Sequence, residues 1–123
     1  MKRLIMDLDG TISVTVGGDY RNAQPVPGVV ERLREYREKG FSIVISTSRN
    51  MRTYEGNVGL INANTLPIII EWLDRHDIPY DEIITGKPWC GLEGFYVDDR
   101  AVRPDEFQRL GYEQILELIG DSR

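Results

Sequence analysis

Leu4-Ile5-Met6-Asp7-Leu8-Asp9-Gly10-Thr11 ends a short apolar run in two carboxylates two residues apart. Side chains of an extended chain alternate in direction, so residues two apart share a face, and Asp7 and Asp9 converge where the strand stops. Gly10 lets the backbone turn sharply there without a steric penalty. Taken alone, the stretch reads equally as a strand followed by an Asp-Gly turn. Three further stretches shift the balance. Phe41-Ser42-Ile43-Val44-Ile45 runs into Ser46-Thr47-Ser48-Arg49, Ile83-Ile84-Thr85-Gly86 into Lys87-Pro88, and Phe95-Tyr96-Val97 into Asp98-Asp99-Arg100. An open α/β sheet places its ligand outside the carboxyl ends of its parallel strands. Carboxylates, a hydroxyl, a lysine and an acidic pair are therefore expected to meet at one sheet edge.

Helical periodicity fills the gaps between these strands, as an α/β fold requires. Val29, Val30, Leu33 and Tyr36 form one apolar face between Pro27 and Lys39, and Gly40 supplies a stop. Thr65 is placed to cap a second helix carrying Ile68, Ile69, Trp72, Leu73 and His76, and a last helix runs near Tyr112 to Ile119. His76 lies at the far end of its helix and reads as structural, as does Trp72. Trp89, next to Lys87-Pro88, suits packing or substrate contact equally. Two connections can reach over the site. Ile12 to Gln24, with Gly17-Gly18 and Asp19-Tyr20-Arg21-Asn22, has the composition of a flexible polar hairpin or flap. Arg49 to Asn64 is a long connection of a kind that is often functional in a compact domain.

Size and charge narrow the class. The 123 residues, 41% hydrophobic, are read as one domain over 1–123 with a core that needs no disulfide staples. That length leaves no room for a large separate cap. Fifteen Lys and Arg against twenty Asp and Glu give a net charge of -5, which argues against a general nucleic-acid surface. No apolar run approaches the roughly 20 residues of a membrane helix. A lone Cys90, and an opening Met1-Lys2-Arg3 that leads straight into a strand, favour a reducing cytoplasm.

Together the residues resemble the haloacid dehalogenase-like (HAD) superfamily of phosphotransferases, over about residues 3 to 100. Its first motif, Asp-x-Asp-Gly-Thr after the first strand, is matched by Asp7 to Thr11, and its hydroxyl ending a strand by Thr47, with Ser46 the nearest competitor. The lysine is matched by Lys87 and the acidic pair by Asp98-Asp99. The settings Thr47-x-Arg49 and Gly86-Lys87-Pro88 look like small members found among bacterial surface-polysaccharide enzymes. The resemblance implies an α/β, Rossmann-like three-layer sandwich with a mainly parallel sheet and a minimal cap or none. It implies that Asp7 is the nucleophile forming an aspartyl-phosphate and that Asp9 protonates the leaving oxygen and then activates water. Thr47 would donate to a phosphate oxygen and Lys87 would offset charge.

A phosphoryl group in displacement carries negative charge that the site must position and neutralise. Four carboxylates would repel it unless a cation intervened. Magnesium prefers hard oxygen ligands, so Asp7 and Asp98 with the main-chain carbonyl of Asp9 suit it, and Asp99 joins directly or through water. Gly10, Thr11, Ser48, Arg49 and Asn50 are the candidate substrate contacts, the first two through amides that cradle phosphate. The expected activity is magnesium-dependent hydrolysis of a small phosphorylated metabolite, a sugar- or polyol-phosphate, by a homodimer or homotetramer whose neighbouring copy helps cover the site. A polynucleotide-end phosphatase is the alternative enzyme, made less attractive by the net acidity. A receiver-like signalling module would place its acidic pair after the first strand and a lone phospho-acceptor later, the reverse of this order.

Overall fold

The computed structural model describes residues 1–120. They separate into two compact units that divide between Trp89 and Cys90. In the first unit, β1 (Arg3–Met6), β4 (Ser42–Ser46) and β5 (Glu82–Ile84) form a parallel sheet in the order β1-β4-β5. Met6 pairs with Ile45 and Ser46 with Ile84, so the three carboxyl ends reach the same level. Ile43, Val44 and Ile45 on the central strand are all fully buried. Both faces of a parallel sheet are covered by its crossovers, so its central strand reads as a continuous apolar run. This is the expected α/β fold class with a parallel sheet.

Helix α1 (Pro27–Glu38) buries Val29, Val30, Leu33 and Tyr36. Pro27 opens it, since a first-turn residue has no helical partner for an N–H. It ends at Gly40, whose φ of +89° a side chain would disfavour. Helix α3 (Leu66–Arg75) buries Ile69, Trp72 and Leu73, each worth about 1.5–3 kcal/mol for its apolar area. Its capping differs from expectation: the Thr65 hydroxyl donates to Asn50 Oδ1 at 2.7 Å and caps no α3 amide. Another helix, α2 (Val58–Asn64), ends directly against Thr65 and occupies much of the stretch expected to be a long connection. The Asn57 side chain starts it, accepting from Leu60 N at 3.1 Å. Beyond α3, the Tyr80 hydroxyl donates to Asp74 Oδ1 at 2.9 Å. Burial first, then that bond and the Asp74 charge, raise the Tyr80 pKa above the ordinary tyrosine value.

The stretch read as a flexible polar hairpin or flap is a hairpin, pinned to a helix. Strand β2 (Ser13–Val14) pairs antiparallel with β3 (Gln24–Pro25), with a single 3-10 turn at Tyr20–Asn22 between them. The indole Nε1 of Trp72 donates to Ala23 O at 2.9 Å, and the Arg75 guanidinium donates to Arg21 O. Two main-chain carbonyls of the ribbon are thus held by one helix.

The second unit carries α4 (Pro104–Arg109), which buries Phe107, and α5 (Tyr112–Leu118). Each start is closed by a side chain three residues on: Arg103 N donates to Glu106 at 2.8 Å and Gly111 N to Gln114 at 2.9 Å. The strand expected over Phe95-Tyr96-Val97 does not form; these residues are exposed and carry no ladder. Three apolar residues fall short of the usual strand length of about 5–6. Among the described residues no helix is long and apolar enough to cross a membrane.

Candidate active site

Because β1, β4 and β5 are parallel and level, the residues that follow them share one edge of the first unit. Asp7 follows β1, and its side chain is 37% exposed, open to a ligand. Two groups hold it: Thr11 Oγ1 donates to Oδ2 at 2.9 Å, and Lys87 Nζ lies 3.5 Å from Oδ1. A hydroxyl on one oxygen and an ammonium near the other fix the rotamer of a carboxylate that must present a lone pair. Lys87 is itself positioned by the sheet edge, since its N–H donates to Thr47 O at 3.2 Å and Thr47 N donates to Ile84 O at 3.0 Å.

Thr47 is buried. Its Oγ1 accepts from Arg49 N at 3.1 Å, so the hydroxyl satisfies a local amide. Accepting through a lone pair leaves the hydroxyl proton for a donation of its own. Ser46 ends β4 one residue earlier, half-buried at the strand terminus.

Asp9 has a different surrounding. Arg49 Nη2 donates to Oδ1 at 2.8 Å and Nε to Oδ2 at 3.0 Å, a bidentate pair. Ser13 Oγ also reaches Oδ1 at 3.4 Å. Bidentate guanidinium–carboxylate pairs add geometric specificity to charge. The Arg49 side chain is 1% exposed, its Cζ sits 4.1 Å from the Tyr20 ring centroid, and its Nη1 is buried with no hydrogen-bond partner. Arg49, expected at the substrate, is thus an internal partner of Asp9.

The remaining expected contacts divide between loop and site. Gly10 adopts φ +83° with open space where a Cβ would stand, so conformation and not crowding requires glycine. The turn uses its own amides: Gly10 N donates to Ser13 O at 2.8 Å and Thr11 N to Leu8 O at 3.1 Å. Ser48 O accepts from Met51 N, and Asn50, at φ +62°, joins Thr53 and Thr65 through its side chain. Trp89 is 44% exposed with Arg52 Cζ 5.5 Å from its ring centroid. In the second unit Asp98 and Asp99 are exposed, and Asp98 Oδ1 accepts from Arg100 N at 3.1 Å. The sequence carries no sign of Tyr20 as a partner of Arg49 and only a weak one of Ser13 as a partner of Asp9. Ser13 had a signal, since it stands four residues after Asp9 in a tight turn, whereas the Tyr20 contact crosses from one loop to another.

The donors suit magnesium in kind, being carboxylate and carbonyl oxygens. In the first unit the Asp9 carboxylate is committed to Arg49, which leaves its main-chain carbonyl and the Asp7 carboxylate as the oxygens for a cation. Among the described residues no group of three or more His, Cys, Asp or Glu side chains is placed to hold a metal ion.

Fold and site together define an α/β domain with a cluster of polar side chains at the carboxyl ends of its parallel strands. A target protein from Vibrio cholerae, solved by crystallography, is 62% identical over the whole of both chains and superposes with a TM-score of 0.96. This chain belongs to the same family as that protein. Two structures of a Pnkp1/Rnl/Hen1 complex, one described as an RNA repair complex, are more distant. They are 20% and 17% identical, with TM-scores of 0.53 and 0.50 over 86% and 94% of this chain. The chain spans about a third of the length of each, 33% and 32%, and the likeness is one of fold. No protein-family model matches the chain, and no curated protein does.

Proposed function

We propose that this chain is a magnesium-dependent phosphomonoester hydrolase of the cytoplasm, acting through an aspartyl-phosphate on a small sugar- or polyol-phosphate. The observation that carries the reading is Asp7, open to solvent and held by Thr11 and Lys87 beside the buried Thr47 hydroxyl. An Asp7 oxygen forms a bond to phosphorus while the ester oxygen leaves with its electron pair and takes a proton from Asp9. In the second step Asp9 accepts a proton from water, the water oxygen bonds to phosphorus, and the Asp7–phosphorus bond breaks to release phosphate. Both Arg49 bonds lie on one side of the Asp9 carboxylate, so the proton travels on the remaining lone pairs. Thr47 donates to a non-bridging oxygen, and Lys87 offsets the charge brought to Asp7.

Magnesium would be held by Asp7 and the Asp9 carbonyl, with Asp98 and Asp99 assigned to it by resemblance alone. It would supply neutralisation of the phosphate charge. Self-association into a homodimer or homotetramer completes the proposal, because phosphoryl transfer benefits from an exclusion of water that a neighbouring copy can provide.

The test is a purified-protein screen against sugar phosphates, polyol phosphates, nucleotides and a 3′-phosphorylated oligonucleotide, with magnesium and in chelator. Turnover of a sugar or polyol phosphate that vanishes in chelator is expected; full activity in chelator overturns the metal requirement. The oligonucleotide arm tests the one rival with an observation behind it, the likeness to an RNA repair complex. Preference for that substrate would replace the small-metabolite reading.

A further inference from the structure

The guanidinium that grips Asp9 is itself seated by an aromatic face. Arg49 contributes Nε and Nη2 to Asp9, and its buried Nη1 has no hydrogen-bond partner. Hydrogen bonds to Asp9 alone would let the two groups swing as a pair. What stands over the guanidinium is Tyr20, with Cζ 4.1 Å from the ring centroid, well inside the distance at which a cation is drawn to an aromatic face. Tyr20 is not free to drift. Its 3-10 turn is closed by an Asn22 Nδ2 to Asp19 Oδ2 bond at 2.8 Å and fastened to α3 through Trp72 and Arg75.

We infer that Tyr20 is a positioning residue that acts on Asp9 through Arg49, fixing the direction in which Asp9 presents its lone pairs. This rests on the phosphatase reading, in which Asp9 moves the proton. The ring face is the operative part, since no hydrogen bond of its hydroxyl to Arg49 or Asp9 is needed. Without the face, Arg49 turns toward partners for Nη1, water enters, and the carboxylate loses its fixed heading. Substrate affinity is untouched in this scheme, because Tyr20 contacts the guanidinium and not the phosphate cradle of Thr47 and Lys87.

The experiment compares Tyr20→Phe, which keeps the face, with Tyr20→Leu, which keeps apolar bulk without it. Single-turnover phosphoenzyme formation is measured with an alkyl phosphate, whose leaving oxygen needs a proton, and with p-nitrophenyl phosphate, whose leaving group departs without one. Tyr20→Leu is expected to slow the alkyl substrate about tenfold or more, a part of the 10²–10⁴-fold that positioned proton transfer supplies, with KM little changed. The loss on the aryl substrate is expected to be much smaller, and Tyr20→Phe is expected to match wild type on both. Equal losses on the two substrates, a rise in KM alone, or a Phe variant as slow as Leu would overturn the inference. A second readout needs no turnover: the Arg49 Nε–H resonance in a nitrogen-15 spectrum. It is expected to be protected from solvent exchange in wild type and Tyr20→Phe and to lose protection in Tyr20→Leu. Undiminished protection in Tyr20→Leu overturns the positioning role, whereas a wild-type protein that hydrolyses no phosphate ester overturns the phosphatase reading and leaves the seating of Arg49 to be judged by this signal.

Discussion

At the residue scale the two acids of Asp7-Leu8-Asp9 are separated by their partners. Asp7 receives a hydroxyl and an ammonium, while Asp9 is gripped by Arg49 through both oxygens, and both acids keep part of their surface open, 37% and 32%. Asp7→Asn is expected to abolish turnover while the circular-dichroism spectrum and thermal midpoint stay near wild type, because the amide keeps the shape and loses the nucleophile. Retained turnover would remove Asp7 from that role. Thr11→Val is expected to slow phosphoenzyme formation by about 10- to 100-fold, since a hydrogen bond to a charged group contributes about 1.5–3 kcal/mol. A stopped-flow measurement at saturating magnesium checks it, and an unchanged rate would reduce Thr11 to a turn residue. The positions of Asp7, Thr47 and Lys87 were legible because each follows a strand, and strand ends converge in a parallel sheet. The bond from Arg49 to Asp9 was not, because residues 40 apart meet through side-chain directions that no local spacing encodes.

Elements with a strong period came through. Helices α1 and α3 stand within two residues of their expected ends, because each alternates a buried and a solvated face over three turns. Shorter helices divided: α5 stands where it was expected, near Tyr112 to Ile119, whereas α2 and α4 were missed. Helix α2 has one buried residue, Ile61, and so no stripe to read, although Asn57 was a cap signal in plain sight. Helix α4 begins Pro104-Asp105-Glu106, a proline and two acids suited to a helix N-terminus, but its single buried Phe107 makes no pattern. The supposed strand at Phe95–Val97 erred the other way, three apolar residues being taken for an element. The ribbon's pinning was hidden too, since an indole donating to a carbonyl 49 residues away leaves no trace in composition. Trp72→Phe keeps most of the buried ring and deletes the donor. It is expected to cost about 1–3 kcal/mol, the penalty for leaving a buried carbonyl unsatisfied, read as a lower urea midpoint at unchanged slope. No shift in midpoint would mean that Ala23 O finds water instead.

For the molecule as a whole, the proposed self-association makes a measurable claim. Light scattering is expected to give a mass of two or four chains at working enzyme concentration, with specific activity falling on dilution as copies part. A monomer with activity independent of concentration would leave the ribbon alone to shield the site. Whole-molecule charge was legible, and the proposal rests on it in setting small anionic esters with a metal ahead of a nucleic-acid backbone. The two tryptophans, one 1% exposed inside the first unit's core and one 44% exposed two residues from Lys87, carry an optical consequence. Emission from Trp72 is shielded from an aqueous quencher such as iodide until the fold opens, while that from Trp89 is reachable throughout. A single cuvette therefore holds two independent reporters, a blue-shifted one on the integrity of the core and a red-shifted one on events beside the lysine, separable by quencher without any label.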